Sequence, residues 1–194
     1  MYQYFEGKLT EVTPTFAVID CGGVGYYLNI SLNTFARIQK LTSAKLWAHH
    51  VVREDAQLLF GFSDFNEREM FRKLIAVSGI GANTARLILS SLTPEELRHA
   101  ILSANVEMIR KIKGIGEKTA QRLIVELKDK VEGMPTGVTP ALFAGRGKKQ
   151  EVVSALVSLG FIKSQAERAV EKVISSSDHE STIEELIKLC LKIL

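Results

Sequence analysis

Two copies of a short glycine-containing pattern hold the residues of this sequence whose types and spacing could do chemistry. Gly-Ile-Gly occurs at 79–81 and recurs, offset by 35 residues, at 114–116. In each copy, apolar residues at helical spacing precede the glycines, and a second helical run follows them. Because paired glycines mark turns, each copy predicts a helix, a tight turn and a second helix.

The glycines indicate what each turn can bind. A glycine adopts positive φ easily and lets another backbone come close, while the first N–H groups of the following helix lack helical partners. Such a turn suits a phosphate oxygen, and the helix dipole favours the negative charge. The predicted DNA-binding set comprises the turn glycines, one asparagine and the flanking basic side chains: Gly79, Gly81, Asn83, Lys111, Lys113, Gly114, Gly116, Lys118 and Arg122.

This set predicts helix-hairpin-helix motifs that hold nucleic acid by its sugar-phosphate backbone. Nothing in the set is suited to reading a base edge, so sequence-independent contacts are expected. The alternative is that Gly-Ile-Gly only joins two packed helices, since short glycine motifs match by chance. Two copies in register, the second among basic residues, favour nucleic-acid binding.

The two copies differ in charge. Lys118 and Arg122 follow the second turn, whereas Asn83 stands after the first. Asparagine can cap a helix or bond a phosphate, but it supplies no charge. We therefore expect the first hairpin to bind more weakly than the second, with Arg86 as the candidate to compensate.

The overall composition adds little to this picture. The 194 residues carry a net charge of +3, and residues 64–134 contain twelve basic and ten acidic side chains. Binding must therefore depend on where the charges lie. Cys21 and Cys190 are too few and too distant for a disulfide framework or a zinc site, and no cofactor or metal is expected. Without a recognisable signal peptide or membrane span, the sequence predicts a cytoplasmic protein that does not contact membranes.

The first sixty residues predict a small barrel. Short β-rich runs alternate with turn residues, and the expected strands are Tyr4–Val12, Phe16–Cys21, Gly25–Ile30, Lys45–Val52 and Gln57–Phe62, with a short helix at Leu32–Ile38. Five strands with a helix after the third are similar to an OB-fold.

The predicted fold is α+β and multidomain. The OB-fold covers 1–63 and the tandem helix-hairpin-helix domain covers 64–132, with a connecting helix from Pro94 to Leu102. A glycine- and proline-rich flexible linker is expected at 133–149. Residues 150–194 predict a three-helix bundle, whose first helix stops at Gly160 and whose second and third helices open with capping boxes at 164–167 and 181–184.

The stretch at 51–62 places an acidic tip, Glu54 and Asp55, between two apolar strands. The simple interpretation is a solvated hairpin turn. However, the run Val-Val-Arg-Glu-Asp-Ala-Gln-Leu-Leu-x-Gly-Phe, with Gly-Gly-Val-Gly-Tyr at 22–26 and twin hairpins downstream, resembles the RuvA family. These are bacterial subunits that bind Holliday junctions for branch migration, and the resemblance covers the whole chain.

The resemblance implies further roles and partners. Glu54 and Asp55 would form an acidic pin at the centre of an open four-way DNA junction, on a homotetramer or on two tetramers stacked as an octamer. The tail would dock on a RuvB-type hexameric ATPase through Leu156, Leu159 and Phe161, and a RuvC-type resolvase is a further candidate partner. Many family members carry a lysine where this chain has Asn83.

The sequence favours a scaffold over an enzyme. It lacks a Walker A lysine in a glycine-rich loop, so ATP hydrolysis would reside in the partner. His49 and His50 alternate faces on a strand and cannot share one metal. Two alternatives stay open: a general helix-hairpin-helix DNA-binding adaptor, and a helix-hairpin-helix repair glycosylase or nuclease. Asp129, beside two lysines, is the weak candidate for the catalytic residue that the second alternative needs.

Overall fold

The computed structural model describes residues 2–132, 148–176 and 182–194. A division between Val138 and Thr139 separates two compact units. Most of the predicted linker, at 133–147, lies outside the described residues. Its predicted end is wrong, because Lys148 and Lys149 already belong to a helix, and Lys149 donates a hydrogen bond of 2.7 Å to Glu171.

The first unit begins with a closed five-stranded barrel. Its strands are β1 (Tyr4–Val12), β2 (Phe16–Asp20), β3 (Gly25–Ile30), β4 (Ser43–Val52) and β5 (Gln57–Phe62). They lie in the order β1-β2-β3-β5-β4, with β3 and β5 parallel and the other pairs antiparallel. This arrangement confirms the predicted OB-fold barrel. Its interior is filled by apolar side chains such as Ile19, Leu28 and Leu46.

Two strand ends differ from the prediction. Cys21 lies beyond β2, because its N–H donates to the Val24 carbonyl and closes the turn between β2 and β3. The fourth strand begins earlier than expected, at Ser43, which pairs with Lys8 of β1.

A short helix, α1 (Leu32–Ile38), follows β3 as expected and is capped by the Ser31 hydroxyl. The same hydroxyl donates to the buried carboxyl group of Glu67, and the Thr34 hydroxyl donates to its second oxygen at 2.8 Å. Glu67 belongs to the next helix along the chain. This buried network therefore ties the barrel to the helical region.

The helical region contains α2 (Phe65–Ile75), α3 (Ala82–Ser91), α4 (Pro94–Leu102), α5 (Val106–Arg110) and α6 (Glu117–Glu132). Asp64 caps α2 through its side chain. The connecting helix α4 has the predicted bounds, and Thr93 and Glu96 form its capping box. Helices α2 and α3 flank the first glycine turn, and α5 and α6 flank the second.

A second apolar core joins β5 of the barrel to these helices. Phe60 and Phe62 of β5 are fully buried, and each ring centre lies 4.9 Å from that of Phe71 on α2. The same core continues through Leu74, Ile88 and the apolar residues of α4 and α6. The two hairpins are consequently held in a fixed position against the barrel.

The second unit contains α7 (Lys148–Ser158), α8 (Lys163–Ser176) and α9 (Ile183–Leu191) around an apolar core of their own. The first of these helices ends at Ser158, two residues before the predicted stop. Nowhere in the part of the chain that the structure describes is a helix long and apolar enough to cross a membrane.

Both predicted caps in this unit are wrong by one or two residues. Ser164 lies inside the first turn of α8, because the helix already starts at Lys163 and the Ile162 carbonyl accepts from the Ala166 N–H. The third helix is capped by Thr182, whose hydroxyl accepts from the Glu185 N–H. Ser181, the predicted cap, lies outside the described residues.

Candidate nucleic-acid interface

The two glycine turns have the same backbone geometry. Gly79 and Gly114 both have φ of 88°, a conformation that residues with a β-carbon rarely adopt. The Ile80 N–H donates to the Val77 carbonyl at 3.0 Å, and the Ile115 N–H donates to the Ile112 carbonyl at the same distance. Both isoleucines are buried. Each turn is thus anchored by its central apolar side chain while its glycines face outward.

The helix that follows each turn begins with N–H groups outside the helical ladder. The first helical bond of α3 runs from the Ala85 N–H to the Gly81 carbonyl, and that of α6 runs from the Ala120 N–H to the Gly116 carbonyl, both at 2.9 Å. No side chain caps α3 at Gly81. The backbone N–H groups of the first turn are therefore available to an anion at a position that the helix dipole favours.

Asn83 lies in this first turn and is exposed. It does not cap the helix, since Gly81 occupies the capping position. An asparagine amide supplies hydrogen-bonding capacity without charge, and the DNA-binding role of Asn83 stays a prediction.

Four exposed basic residues flank the second turn in sequence: Lys111, Lys113, Lys118 and Arg122. None of the four forms an ion pair with another described residue. Glu117, in the first turn of α6, lies 3.9 Å from Arg110, so one acidic group near this turn is already opposed by a positive charge. The field at the second turn is consequently positive.

Arg86, the candidate to compensate for the missing charge at the first turn, is hydrogen-bonded to the barrel. Its Nη1 donates to the Thr15 carbonyl at 3.0 Å and to Asn29 Oδ1 at 3.3 Å, both on the barrel. The guanidinium therefore joins α3 to the barrel. Both partners are uncharged, and the role of Arg86 at the first hairpin stays a prediction.

Glu54 and Asp55, the predicted acidic pin, lie at the tip of the hairpin between β4 and β5. The ladder ends with the pair Val52 and Gln57, and the Arg53 N–H donates to the Ala56 carbonyl at 2.8 Å, which closes the tip. Glu54 and Asp55 are exposed, and neither forms an ion pair with a described residue. Both carboxylates are thus free to act on a ligand by charge.

Arg53, which has no predicted role, lies beside the first turn. Its Nη2 is 4.0 Å from the position that a β-carbon on Gly81 would occupy. Arg53 and Gly81 are nearly thirty residues apart in the sequence, so no local sequence pattern predicts that they lie close together.

The three predicted partner-binding residues have very different exposure. Leu156 is fully buried in the core of the second unit, which removes it from any direct docking role. Phe161 is partly buried against the same core. Leu159 is 61% exposed just beyond the end of α7 and is the one of the three that presents most of its side chain to solvent.

Comparison with protein families gives three matches in chain order. Residues 1–61 match the RuvA N terminal domain, residues 71–129 match the SAM-like helix-hairpin-helix tandem, and residues 148–194 match the RuvA C-terminal domain. The central match spans both glycine turns.

Individual proteins are similar over nearly the full length. A protein of Christiangramia forsetii is 46% identical over 192 residues, and one of Bacteroides fragilis is 45% identical over 202 residues. A third, from Flavobacterium psychrophilum, is 45% identical over 192 residues. The alignments cover 99% of this chain and 99% of each relative, and all three relatives carry the name Holliday junction branch migration complex subunit RuvA.

Proposed function

Because this chain belongs to the RuvA family, we propose that it is a non-catalytic scaffold that binds four-way Holliday junctions and supports branch migration in recombination and repair. The observation that carries the proposal is the pair of glycine turns with matching geometry, each opening a helix whose first N–H groups have no helical partner. Two equivalent phosphate sites on one compact unit would suit the two strands of one duplex arm.

Binding would run through the DNA backbone. The turn glycines and the helix N-termini behind them supply N–H donors, and Lys118 and Arg122 supply charge that attracts phosphates at longer range. Neither group reads base edges, so the junction is recognised by shape and not by sequence. This property suits a protein that must act wherever recombination places a junction.

The acidic pin would contribute selectivity for branched DNA. A carboxylate near a phosphate is repelled by on the order of 1 kcal/mol at high dielectric, and by more where water is excluded. Glu54 and Asp55 would therefore disfavour a continuous duplex across the tip. At a crossover, the same repulsion would help to keep the exchanging strands apart.

Motor activity would come from a partner. We propose that the second unit recruits a RuvB-type hexameric ATPase, with Leu159 as the exposed apolar contact and Phe161 supporting it from the core. ATP hydrolysis would then reside in that ATPase. By analogy with the family, the DNA-binding assembly would be a homotetramer or a pair of stacked tetramers in the cytoplasm, and a RuvC-type resolvase would share the junction.

A reconstituted branch-migration assay tests the proposal. The purified chain, a RuvB-type ATPase and ATP are incubated with a labelled four-way junction whose arms can exchange, and the product duplexes are separated by electrophoresis. Product formation at limiting ATPase concentration should require the chain. Equal product with and without the chain would contradict the proposed function.

A further inference from the structure

The two hairpins share a backbone but not a charge. Each basic position of the second copy has an uncharged counterpart 35 residues earlier: Ala76, Ser78, Asn83 and Leu87 stand where the second copy has Lys111, Lys113, Lys118 and Arg122. The first turn therefore has equivalent N–H donors but no cation at these four positions. The charge of a phosphate bound there would be neutralised by cationic side chains from other parts of the chain, or would not be neutralised.

Arg53 is positioned to supply that charge. Its Nη2 lies 4.0 Å from the β-carbon position of Gly81, the residue that opens α3. The backbone at both positions is held in place, because Gly81 is the N-cap of α3 and the Arg53 N–H donates to the Ala56 carbonyl. A guanidinium at this place stands next to the first N–H groups of α3.

The Arg53 side chain has no other described task. Within residues 2–132, 148–176 and 182–194 its guanidinium forms no hydrogen bond and no ion pair, although Glu54 and Asp55 follow it directly in sequence. Arg86, the nearest alternative on α3 itself, is occupied by the barrel. No side chain caps this helix N-terminus, and the arginine beside it is exposed and unpaired. A phosphate bound there would accept hydrogen bonds from both the guanidinium and the helix N–H groups.

Arg122 extends the same pattern to the other side of the turn. Its Nη1 lies 3.5 Å from the Ser78 carbonyl, so a side chain of the second hairpin reaches the first. The first turn is thus flanked by two arginines from outside its own motif. Arg122 belongs to the second hairpin, whereas Arg53 reaches the first turn from the barrel.

We infer that Arg53 is a phosphate-binding residue and that the first hairpin is a composite site, with backbone N–H donors from α3 and a guanidinium from the barrel. The inference rests on the proposed function, since the ligand is a DNA backbone phosphate. It also links the two parts of the tip. Arg53, which binds a phosphate, is followed directly by Glu54 and Asp55, which repel one. The position of the acidic pin is therefore set relative to the strand bound at the first turn.

Salt-dependent binding of four variants tests the inference. Arg53→Gln removes the charge, Arg53→Lys keeps it, and Arg72→Gln is a control that removes an exposed arginine paired with Glu69 on α2. The fourth variant combines Arg53→Gln with Asn83→Lys, which places a lysine where the second hairpin has Lys118. Each protein is titrated against a labelled four-way junction and a linear duplex at several salt concentrations.

We expect Arg53→Gln to weaken binding at low salt by about tenfold, as for loss of a charge-assisted hydrogen bond. The slope of log K against log salt should flatten by about 0.9 for each phosphate that the variant no longer binds. Arg53→Lys should retain the slope, and Asn83→Lys should restore it in the Arg53→Gln protein. Arg72→Gln should leave the slope unchanged.

Two results would overturn the inference. One is an Arg53→Gln protein whose slope and affinity match those of the Arg72→Gln control. The other is a loss in Arg53→Gln that Asn83→Lys does not restore, which would place the action of Arg53 away from the first hairpin. The proposed function fails separately: wild-type protein that binds junction and duplex equally would contradict junction recognition, while the slopes on duplex would still decide the role of Arg53.

Discussion

Gly79 and Gly114 lie 35 residues apart and share one backbone angle, φ of 88°, at equivalent points of two turns. The geometry is demanding, because this angle is costly for any residue with a β-carbon. In the proposed function the same angle also directs the N-terminus of the following helix outward, where a phosphate would bind. These two consequences can be separated by substitution.

Replacing Gly114 by alanine should lower both stability and DNA affinity. Alanine at positive φ costs about 1–2 kcal/mol, and relaxation of the turn would displace the N–H donors of α6. Unfolding in urea, followed by the fluorescence of Trp47, the single tryptophan, should show the loss of stability.

Gly116→Ala is the matched comparison. No atom lies within 4 Å of its β-carbon position and its φ is not in the left-handed region, so stability should be unchanged. The added methyl group would stand where the DNA backbone approaches, so junction affinity should still fall. Unaltered affinity in the Gly116→Ala protein would remove this turn from the interface.

Charge reversal at Lys118 and Arg122 should weaken junction binding and flatten its salt dependence. The slope of log K against log salt should fall by about 0.9 for each phosphate that is released from the interface. Lys128→Glu with Lys130→Glu makes the same change in net charge at exposed positions farther along α6. Equal effects of the two double variants would mean that only overall charge matters.

Neutralising the acidic pin should change selectivity more than affinity. Glu54→Gln with Asp55→Asn removes two exposed carboxylates without altering size, so binding to linear duplex should rise while binding to the junction is kept or rises less. The ratio of the two affinities, measured by competition, is the relevant quantity. A uniform loss on both DNAs would contradict the repulsive role of the pin.

Leu159→Asp should abolish recruitment of the ATPase while the second unit stays folded. The side chain is 61% exposed, so a charge there costs little in folding. Leu191→Asp, at another exposed apolar position of the unit, controls for a general effect of added charge. Binding of a RuvB-type ATPase to immobilised protein measures the effect, and retained binding by the Leu159→Asp protein would exclude this contact.

Glu67 should make the stability of the first unit depend on pH. Burial raises the pKa of this carboxyl group above that of an ordinary glutamate, against the opposing effect of hydrogen bonds from Ser31 and Thr34. The folded state binds the proton more tightly than the unfolded state does. The contribution of Glu67 to stability is therefore complete at pH values below the ordinary carboxyl pKa. It is lost as pH rises through the raised value.

The measurement compares wild-type protein with Glu67→Gln, which cannot ionise. As pH rises from about 4 towards neutrality, the free energy of unfolding of the wild type, followed by Trp47 fluorescence, should fall relative to that of Glu67→Gln. The two curves should therefore converge or cross. Parallel curves for the two proteins across this range would show that Glu67 titrates alike in the folded and unfolded states.

Local patterns predicted most of the fold. The glycine turns and the capping box at Thr93 were predicted correctly because each depends on residues only a few positions apart. The cap of α9 was misplaced because serine and threonine stand side by side and both can cap a helix. The choice of Thr182 depends on its pairing with Glu185.

The parts of the site that the sequence did not predict depend on tertiary contacts. Arg53 meets Gly81 only because β4 and β5 place their hairpin beside α3. The engagement of Arg86 by Thr15 and Asn29 likewise joins distant segments. The helical spacing of apolar residues places Leu156 on an apolar face but does not tell whether that face packs in a core or binds a partner. The structure places Leu156 in the core.

A competition titration measures the selectivity of the protein for four-way junctions. The full chain is bound to a labelled synthetic four-way junction, and linear duplex of the same sequence is added as competitor at low and at high salt. We expect the junction to be retained against excess duplex, with the preference persisting at high salt because it comes from shape and not from charge alone. Displacement of the junction by an equal amount of duplex at both salt concentrations would contradict the account and leave the two hairpins as general grips on DNA.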